Sequence, residues 1–260
     1  MQSEKRINTL AENTANFKWI DSKERGHVLV APFFLSFKKL VAVCINLTIL
    51  GFLKNKKMKD FWNARYGDEV YAYGTSPNVF FSSEFKKIPP GKALFPAEGE
   101  GRNAVFAACC GWEVVAFDQS DAARIKAMQL AADKGVEIDY EVTSLDDFDA
   151  KEESFDALVL IYAHFPGPVR KFFHQKLARL VKPGGYLIVE GFSKRHLEYN
   201  SVNERAGGPK EWSMLFSLEE LETDFSDFEI HFSEETTVQL NEGLYHVGES
   251  AVVRLVGIKK

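Results

Sequence analysis

The stretch Leu94-Phe95-Pro96-Ala97-Glu98-Gly99-Glu100-Gly101-Arg102-Asn103-Ala104 sets a Gly-x-Gly turn between a short apolar run and a helix-forming one. Glycine suits a place where backbone must approach a ligand closely, because a side chain there would stand in the way. Asp118 follows 17 residues after Gly101, at the end of the next apolar run. A carboxylate so placed accepts hydrogen bonds from both hydroxyls of a ribose. An ordinary turn and helix start would explain the glycines alone, but not their register with Asp118. Gly-x-Gly-x-x-Ala with a distal acid also suits a nicotinamide dinucleotide, so these residues by themselves leave the nucleotide open.

A second group of residues could handle protons. His164 lies in Tyr162-Ala163-His164-Phe165-Pro166, at the carboxyl end of a strand-like run, where open α/β sheets place their ligands. A histidine titrates near neutrality and can serve an oxygen or nitrogen acceptor as a base. His164 and Tyr162 are therefore the candidate catalytic residues, with a structural loop histidine as the plain alternative. His196 and His246 are further histidines of the later loops. Cys44, Cys109 and Cys110 form neither a CxxC pair nor a His/Cys cluster at metal spacing. They read as buried thiols of a reducing cytoplasm, with no metal site.

Positioning these residues requires strands alternating with helices. The pattern predicts helix over Lys59–Tyr66, then a loop with Gly74, Ser76 and Pro77 and a Pro-Pro-Gly breaker at 89–91. Strands are expected at Lys92–Pro96, Trp112–Phe117, Ile138–Val142, Ala157–Ile161 and Tyr186–Glu190. Between them fall helices at Gly99–Cys110, Ala122–Lys134 (stopped by Gly135) and Val169–Val181 (ended by Pro183-Gly184-Gly185). Ser217 caps a helix over Leu218–Asp224. Two last strands, Phe228–Leu240 and Ala251–Ile258, flank a loop with Asn241, Glu242, Gly243 and Gly248. Such alternation predicts a mostly parallel sheet covered on both faces, closed by an antiparallel C-terminal hairpin. Phe192–His196, with Gly207 and Gly208 suited to a mobile segment, and the tip Asn241–His246 are the loops placed to close a pocket and choose a substrate.

Composition narrows the function classes. Of 260 residues, 45% are hydrophobic and 27% charged, with a formal charge of −5. Residues 1–57 hold ten Lys/Arg against four Asp/Glu, so residues 58–260 carry about −11. That acidity argues against a nucleic-acid partner, which calls for a basic surface. Val28–Leu53 is apolar but broken by Pro32 and Lys38-Lys39, and its longest uncharged run, Leu40–Leu53, has 14 residues. A membrane-spanning helix needs about 20. Membrane contact through residues 28–53 is thus disfavoured. Residues 1–57 read as an extension outside the working protein, with Met58 as its start and residues 58–260 as the catalytic domain.

Residues 58–260 resemble the class I S-adenosylmethionine-dependent methyltransferases, and within them the small-molecule branch of the tellurite-resistance and thiopurine enzymes. Phe61-Trp62-Asn63-Ala64-Arg65-Tyr66-Gly67 resembles that branch's helix over the cofactor. Phe155 to Pro166 resembles its fourth-strand motif at the methyl-transfer site, and Lys182-Pro183-Gly184-Gly185-Tyr186-Leu187-Ile188-Val189-Glu190 its turn and fifth strand. The resemblance implies a Rossmann-like α/β fold with a seven-stranded sheet. It also implies methyl transfer from S-adenosylmethionine to a small acceptor such as a thiol or metalloid anion. The cofactor contacts it implies are Trp62, Arg65, Glu98, Gly99, Gly101, Asn103, Asp118, Gln119, Ser144, Leu145 and Ile161. Three positions depart from the pattern. Ala97 replaces the usual first glycine, Phe95 replaces the usual acid (whose work would fall in part to Glu98), and Ser144-Leu145 stands where many relatives carry Asp. A nicotinamide-dependent oxidoreductase is the rival enzyme, though no length remains for its substrate domain. A noncatalytic binding protein on the same fold is the third reading.

Overall fold

The computed structural model describes residues 56–260. The expectations for residues 1–55, including the apolar stretch 28–53, lie outside those residues. Helix α1 covers residues 56–66. It is followed by α2 (Val79–Phe85), β1 (Lys92–Pro96), α3 (Arg102–Cys109), β2 (Glu113–Asp118), α4 (Asp121–Lys134), β3 (Asp139–Val142) and β4 (Phe155–Ile161). Then come α5 (Gly167–Ala178), β5 (Val181–Phe192), α6 (His196–Asn200), α7 (Leu218–Asp224), β6 (Phe228–Glu242) and β7 (His246–Lys259). Among the described residues no helix is long and apolar enough to cross a membrane.

The seven strands form one sheet in the order β3-β2-β1-β4-β5-β7-β6. The five from β3 to β5 are parallel, and β7 runs antiparallel to both β5 and β6. Both faces are covered, which the side-chain alternation makes visible. Ala93, Phe95, Ala157, Val159 and Ile188 point to one core with Phe81, Ala127 and Leu130 of the covering helices. Leu94, Leu158, Leu160, Leu187 and Val189 point to the other, with Leu177 and Leu221. A strand buried on both faces reads as a continuous apolar run, as these do.

Local chemistry sets the helix ends. The Ser120 hydroxyl accepts from the Ala123 amide at the start of α4, and Gly135 ends it at φ 68°, a left-handed conformation that glycine adopts without strain. Ser217 and Glu220 form a reciprocal capping box on α7.

Four elements differ from the sequence reading, one of them α6 (His196–Asn200), where no helix was expected. Residues 79–85, for which no element was expected, form α2, capped by the Asn78 side chain, which accepts from the Phe81 amide. Helix α5 stops at Ala178, and the Pro183-Gly184-Gly185 turn is a bulge inside β5, where Phe155 pairs with Val181 but Ala157 with Tyr186. The hairpin is longer than expected, since β6 and β7 stay paired as far as Glu242 and His246. The last β5 residue, Phe192, pairs with Val252. Residues 246–251 therefore overhang the carboxyl edge of the parallel strands by about 20 Å. The tip lands on the loop after α1, where the Leu244 amide donates to the Ala72 carbonyl at 2.8 Å. A Cβ on Gly243 would lie 2.5 Å from that same carbonyl oxygen.

Candidate functional site

The turn between β1 and α3 holds Ala97, Gly99 and Gly101 at φ 52°, 65° and 87°. Their reasons differ. A Cβ on Gly101 would sit 2.6 Å from the Cβ of Ala127, so this glycine admits α4 rather than a ligand. A Cβ on Gly99 would come within 2.8 Å of the Tyr66 hydroxyl, because α1 lies across the turn. Ala97 is exposed and takes the left-handed conformation without being glycine, which costs about 1–2 kcal/mol.

Two carboxylates organise this turn. One Glu98 oxygen accepts from the amides of Asn103 and Ala104 at 2.9 and 2.8 Å, closing the start of α3. Burial raises its pKa to about 7, against the pull of those two amides. Asp118 ends β2, where Oδ2 accepts from the Gly99 amide at 3.1 Å and Oδ1 from the Ser120 amide at 2.9 Å. Burial raises its pKa to about 6, again opposed by backbone donors. A carboxylate offers about four acceptor positions. The Gly99, Ser120 and Gln119 amides draw on part of that capacity, and what is left suits the hydroxyls of a ribose.

The other expected contacts are spread over several elements. Gln119, Ser144, Leu145 and Ile161 lie at or just beyond the carboxyl ends of β2, β3 and β4, and all are partly exposed. The Ser144 hydroxyl donates to Asp147 at 2.7 Å. Trp62 stacks on Tyr66 with ring centroids 5.4 Å apart. Arg65 is turned to the hairpin tip, its guanidinium 3.8 Å from the Tyr245 ring centroid and 3.4 Å from the Tyr73 hydroxyl. The Asn103 side chain is taken up by the Asn78 amide at 2.9 Å, on the far side of α3's first turn. Asn63 emerges as an unexpected member. Its side-chain oxygen accepts from the Ser120 hydroxyl at 2.7 Å and the Ala122 amide at 3.3 Å, docking α1 on α4.

A second polar cluster lies beneath the hairpin. Glu190, 1% exposed, accepts from the Asn78 side chain at 2.6 Å, the Tyr162 hydroxyl at 2.9 Å and Arg254 at 2.6 Å. Glu242 accepts from Asn78 at 3.2 Å, Arg102 at 2.9 Å and His246 at 3.1 Å. Burial opposes the Glu242 charge, yet His246 and Arg102 outweigh it and hold the pKa at about 2. The sequence reading passed over Asn78, Arg102, Glu190 and Arg254. One signal was present: Glu190 interrupts an apolar strand at its carboxyl end.

The two catalytic candidates are both engaged. His164 Nδ1 lies 2.8 Å from the Met214 carbonyl and Nε2 accepts from the Phe192 amide at 3.0 Å. Neither ring nitrogen faces a substrate, and burial lowers the pKa to about 3. The Tyr162 hydroxyl donates to Glu190, and burial, then Glu190 and Glu242, push its pKa well above the usual value. Its backbone sits at φ 55°. Gly207 and Gly208, expected to be mobile, are packed. A Cβ on Gly207 would collide with the Tyr245 carbonyl, and one on Gly208 would come within 2.8 Å of Phe192.

A family profile described as a methyltransferase domain matches residues 96–185. No curated protein matches the chain. Among solved structures, one described as the conversion of a disulfide bond into a thioacetal group during echinomycin biosynthesis is 19% identical. It has a TM-score of 0.64, with 78% of this chain and 92% of that one covered. TehB from Haemophilus influenzae is 16% identical at a TM-score of 0.57, with 78% and 67% covered. Magnesium protoporphyrin IX methyltransferase from Synechocystis PCC 6803, with bound SAH, is 16% identical at a TM-score of 0.56, with 82% and 99% covered. At such identities the likeness is one of fold. A methyltransferase-domain profile thus covers residues 96–185, and the chain has the class I methyltransferase fold.

Proposed function

We propose that this protein transfers the methyl group of S-adenosylmethionine to a small-molecule acceptor, a thiol, metalloid anion or similar nucleophile, in the cytoplasm. The observation that carries the reading is Asp118, which ends β2 beside the glycine turn and is tied to it through the Gly99 amide. Its carboxylate would take the ribose hydroxyls. Ser144 and Leu145 would meet the adenine edge, and Trp62, Arg65 and Tyr66 would cover the remainder from α1. The cofactor supplies an already activated methyl group, so the chain's own task is to align the acceptor and exclude water. The hairpin overhang and α1 together roof the carboxyl edge and suit that task. Placement beside the tellurite-resistance and thiopurine enzymes rests on the Phe61–Gly67 and Phe155–Pro166 motifs, and residues 58–260 are the proposed working domain.

Thermal melting with added ligand tests the reading. S-adenosylmethionine and S-adenosylhomocysteine should each stabilise the full chain, by about 2.7 kcal/mol at a hundredfold excess over Kd. Stabilisation by NADH with none from either compound would transfer the site to a dinucleotide enzyme.

A further inference from the structure

The hairpin overhang carries one group that the reading above leaves without work. His246 begins β7, is 4% exposed, and stands in an aromatic slot. Its ring centroid lies 4.4 Å from that of Tyr73, 4.5 Å from Tyr162 and 5.1 Å from Phe192. Nδ1 is 3.1 Å from Glu242 Oε2, which Arg102 also holds. Since Glu242 is kept ionised it can only accept, so Nδ1 carries the hydrogen and Nε2 keeps its lone pair.

That lone pair is unspent: among the described residues His246 Nε2 has no hydrogen-bond partner, and it does not belong with the fully enclosed, unpartnered ring nitrogens, which are His174 Nε2 and His196 Nδ1. The charged and titratable groups around the ring are Glu242, Arg102, Arg65, Tyr73, Tyr162, His164 and His196. Burial, helped by Arg102 and Arg65 and opposed by Glu242, keeps the imidazole neutral below its ordinary pKa.

Its position is the second observation. Tyr162 is the first residue beyond β4 and Arg102 opens the helix behind the glycine turn. His246 touches the first and shares Glu242 with the second, so it sits over the junction of cofactor turn and fourth strand. We propose that His246 is the catalytic proton acceptor, that Glu242 is its positioning residue, and that the methyl acceptor is a protic nucleophile, a thiol or hydroxyl. This rests on the methyltransferase reading. The acceptor's sulfur or oxygen lone pair forms the new bond to the methyl carbon as the carbon–sulfonium bond breaks, its electron pair returning to sulfur. The acceptor's proton passes to Nε2 and then to solvent. A metalloid anion with no proton to lose would leave the pair idle, so the geometry narrows the acceptor class to thiols and hydroxyls.

Diethyl pyrocarbonate acylates neutral imidazole nitrogens and tests this without a known acceptor. Full-length protein is treated at pH 7 and each histidine is followed by mass spectrometry. His246 and the exposed His231 should react, whereas His164, His174 and His196 should not. Saturating S-adenosylmethionine should slow His246 at least tenfold and leave His231 unchanged. Glu242→Gln removes the carboxylate charge and leaves Arg102 unopposed, so His246 should react at least fivefold more slowly while His231 again serves as the internal standard. His246→Gln should bind S-adenosylhomocysteine within about threefold of wild type by calorimetry, which also reports that it folds, whereas Glu242→Gln, which leaves Arg102 without its carboxylate, should still bind but melt lower. An unreactive His246, no protection by the cofactor, or an unchanged rate in Glu242→Gln overturns the assignment while leaving the methyltransferase reading intact. Absence of S-adenosylhomocysteine binding to the wild-type protein overturns both.

Discussion

Replacing Asp118 by Asn probes the cofactor site with the least change of shape. The carboxylate accepts from Gly99 and Ser120 and keeps acceptor capacity for a ligand. The amide keeps one oxygen and turns the other into a donor, so one ribose hydroxyl loses a charged acceptor. Such a bond is worth about 1.5–3 kcal/mol, a loss of roughly 10- to 150-fold in affinity. The unliganded protein should melt near the wild-type temperature, because Asn exchanges a destabilised buried charge for one amide facing a backbone donor. The wild type carries a further signature. Asp118 has its pKa raised from 3.8 to about 6, so the unliganded site increasingly holds a proton as pH falls through 6. A ligand that needs the carboxylate must expel that proton. Affinity for S-adenosylhomocysteine, measured by calorimetry on the full chain, should therefore fall about tenfold from pH 7 to pH 5, and Asp118→Asn should lose that dependence. Wild-type-like affinity in the variant, or a wild-type affinity flat across this range, would refute the placement of the ribose on Asp118.

Other outcomes follow from the same turn. Glu98 has a folded pKa of about 7 against 4.5 when unfolded, so its penalty grows as pH rises from 4.5 and is complete above 7. Partial exposure reduces that penalty to about 2 kcal/mol. Glu98→Gln keeps an oxygen for the Asn103 and Ala104 amides and should melt above wild type at pH 8, with the gap gone by pH 5. Gly101→Ala combines a left-handed backbone with the Ala127 clash and should cost about 2–5 kcal/mol in denaturant unfolding. Ala127→Gly in that background should recover the clash but not the strain. Ala97→Gly should melt no lower than wild type, since about 1–2 kcal/mol of strain relieved offsets the roughly 0.5–1 kcal/mol entropic cost of glycine. A chain beginning at Met58 retains all of α1 except Lys56 and Lys57 and should bind S-adenosylhomocysteine as the full chain does. Insolubility of that shorter chain would place residues 1–57 within the working domain.

Wherever a single local period decided an element, the sequence was readable. The parallel strands are short apolar runs because both faces are buried, and Gly135 and Ser217 end and begin their helices for local reasons. The cofactor turn was legible too, although Gly101 is fixed by Ala127, 26 residues away, and not by a ligand. Helix α2 was missed because its period covers barely two turns, and only Asn78 as a cap betrayed it. The hairpin overhang was missed for a different reason. Residues 246–251 pair with β6 and not with the parallel strands, so no core imposes an apolar alternation on Val247, Gly248, Glu249 and Ser250. His164 misled because a strand-end histidine looks catalytic until both of its nitrogens are found on backbone groups.

The polar cluster beneath the hairpin shows what local pattern cannot encode. Asn78 meets Glu190 across 112 residues and Glu242 across 164, and Arg102 meets Glu242 across 140. Burying these charges costs several kcal/mol for each ion before pairing, so removing one partner leaves another unpaired at about 3–5 kcal/mol. That penalty acts on position. Glu242 can satisfy Arg102, Asn78 and His246 together only with the hairpin lying over the first turn of α3, and the Leu244 amide reaches Ala72 in the same placement. Aromatic contacts of Tyr245 and His246 with Tyr73 hold the tip in the same place. Its register over the cofactor edge is set by charge pairing, and one pair, Glu242 with His246, also fixes which imidazole nitrogen keeps the lone pair.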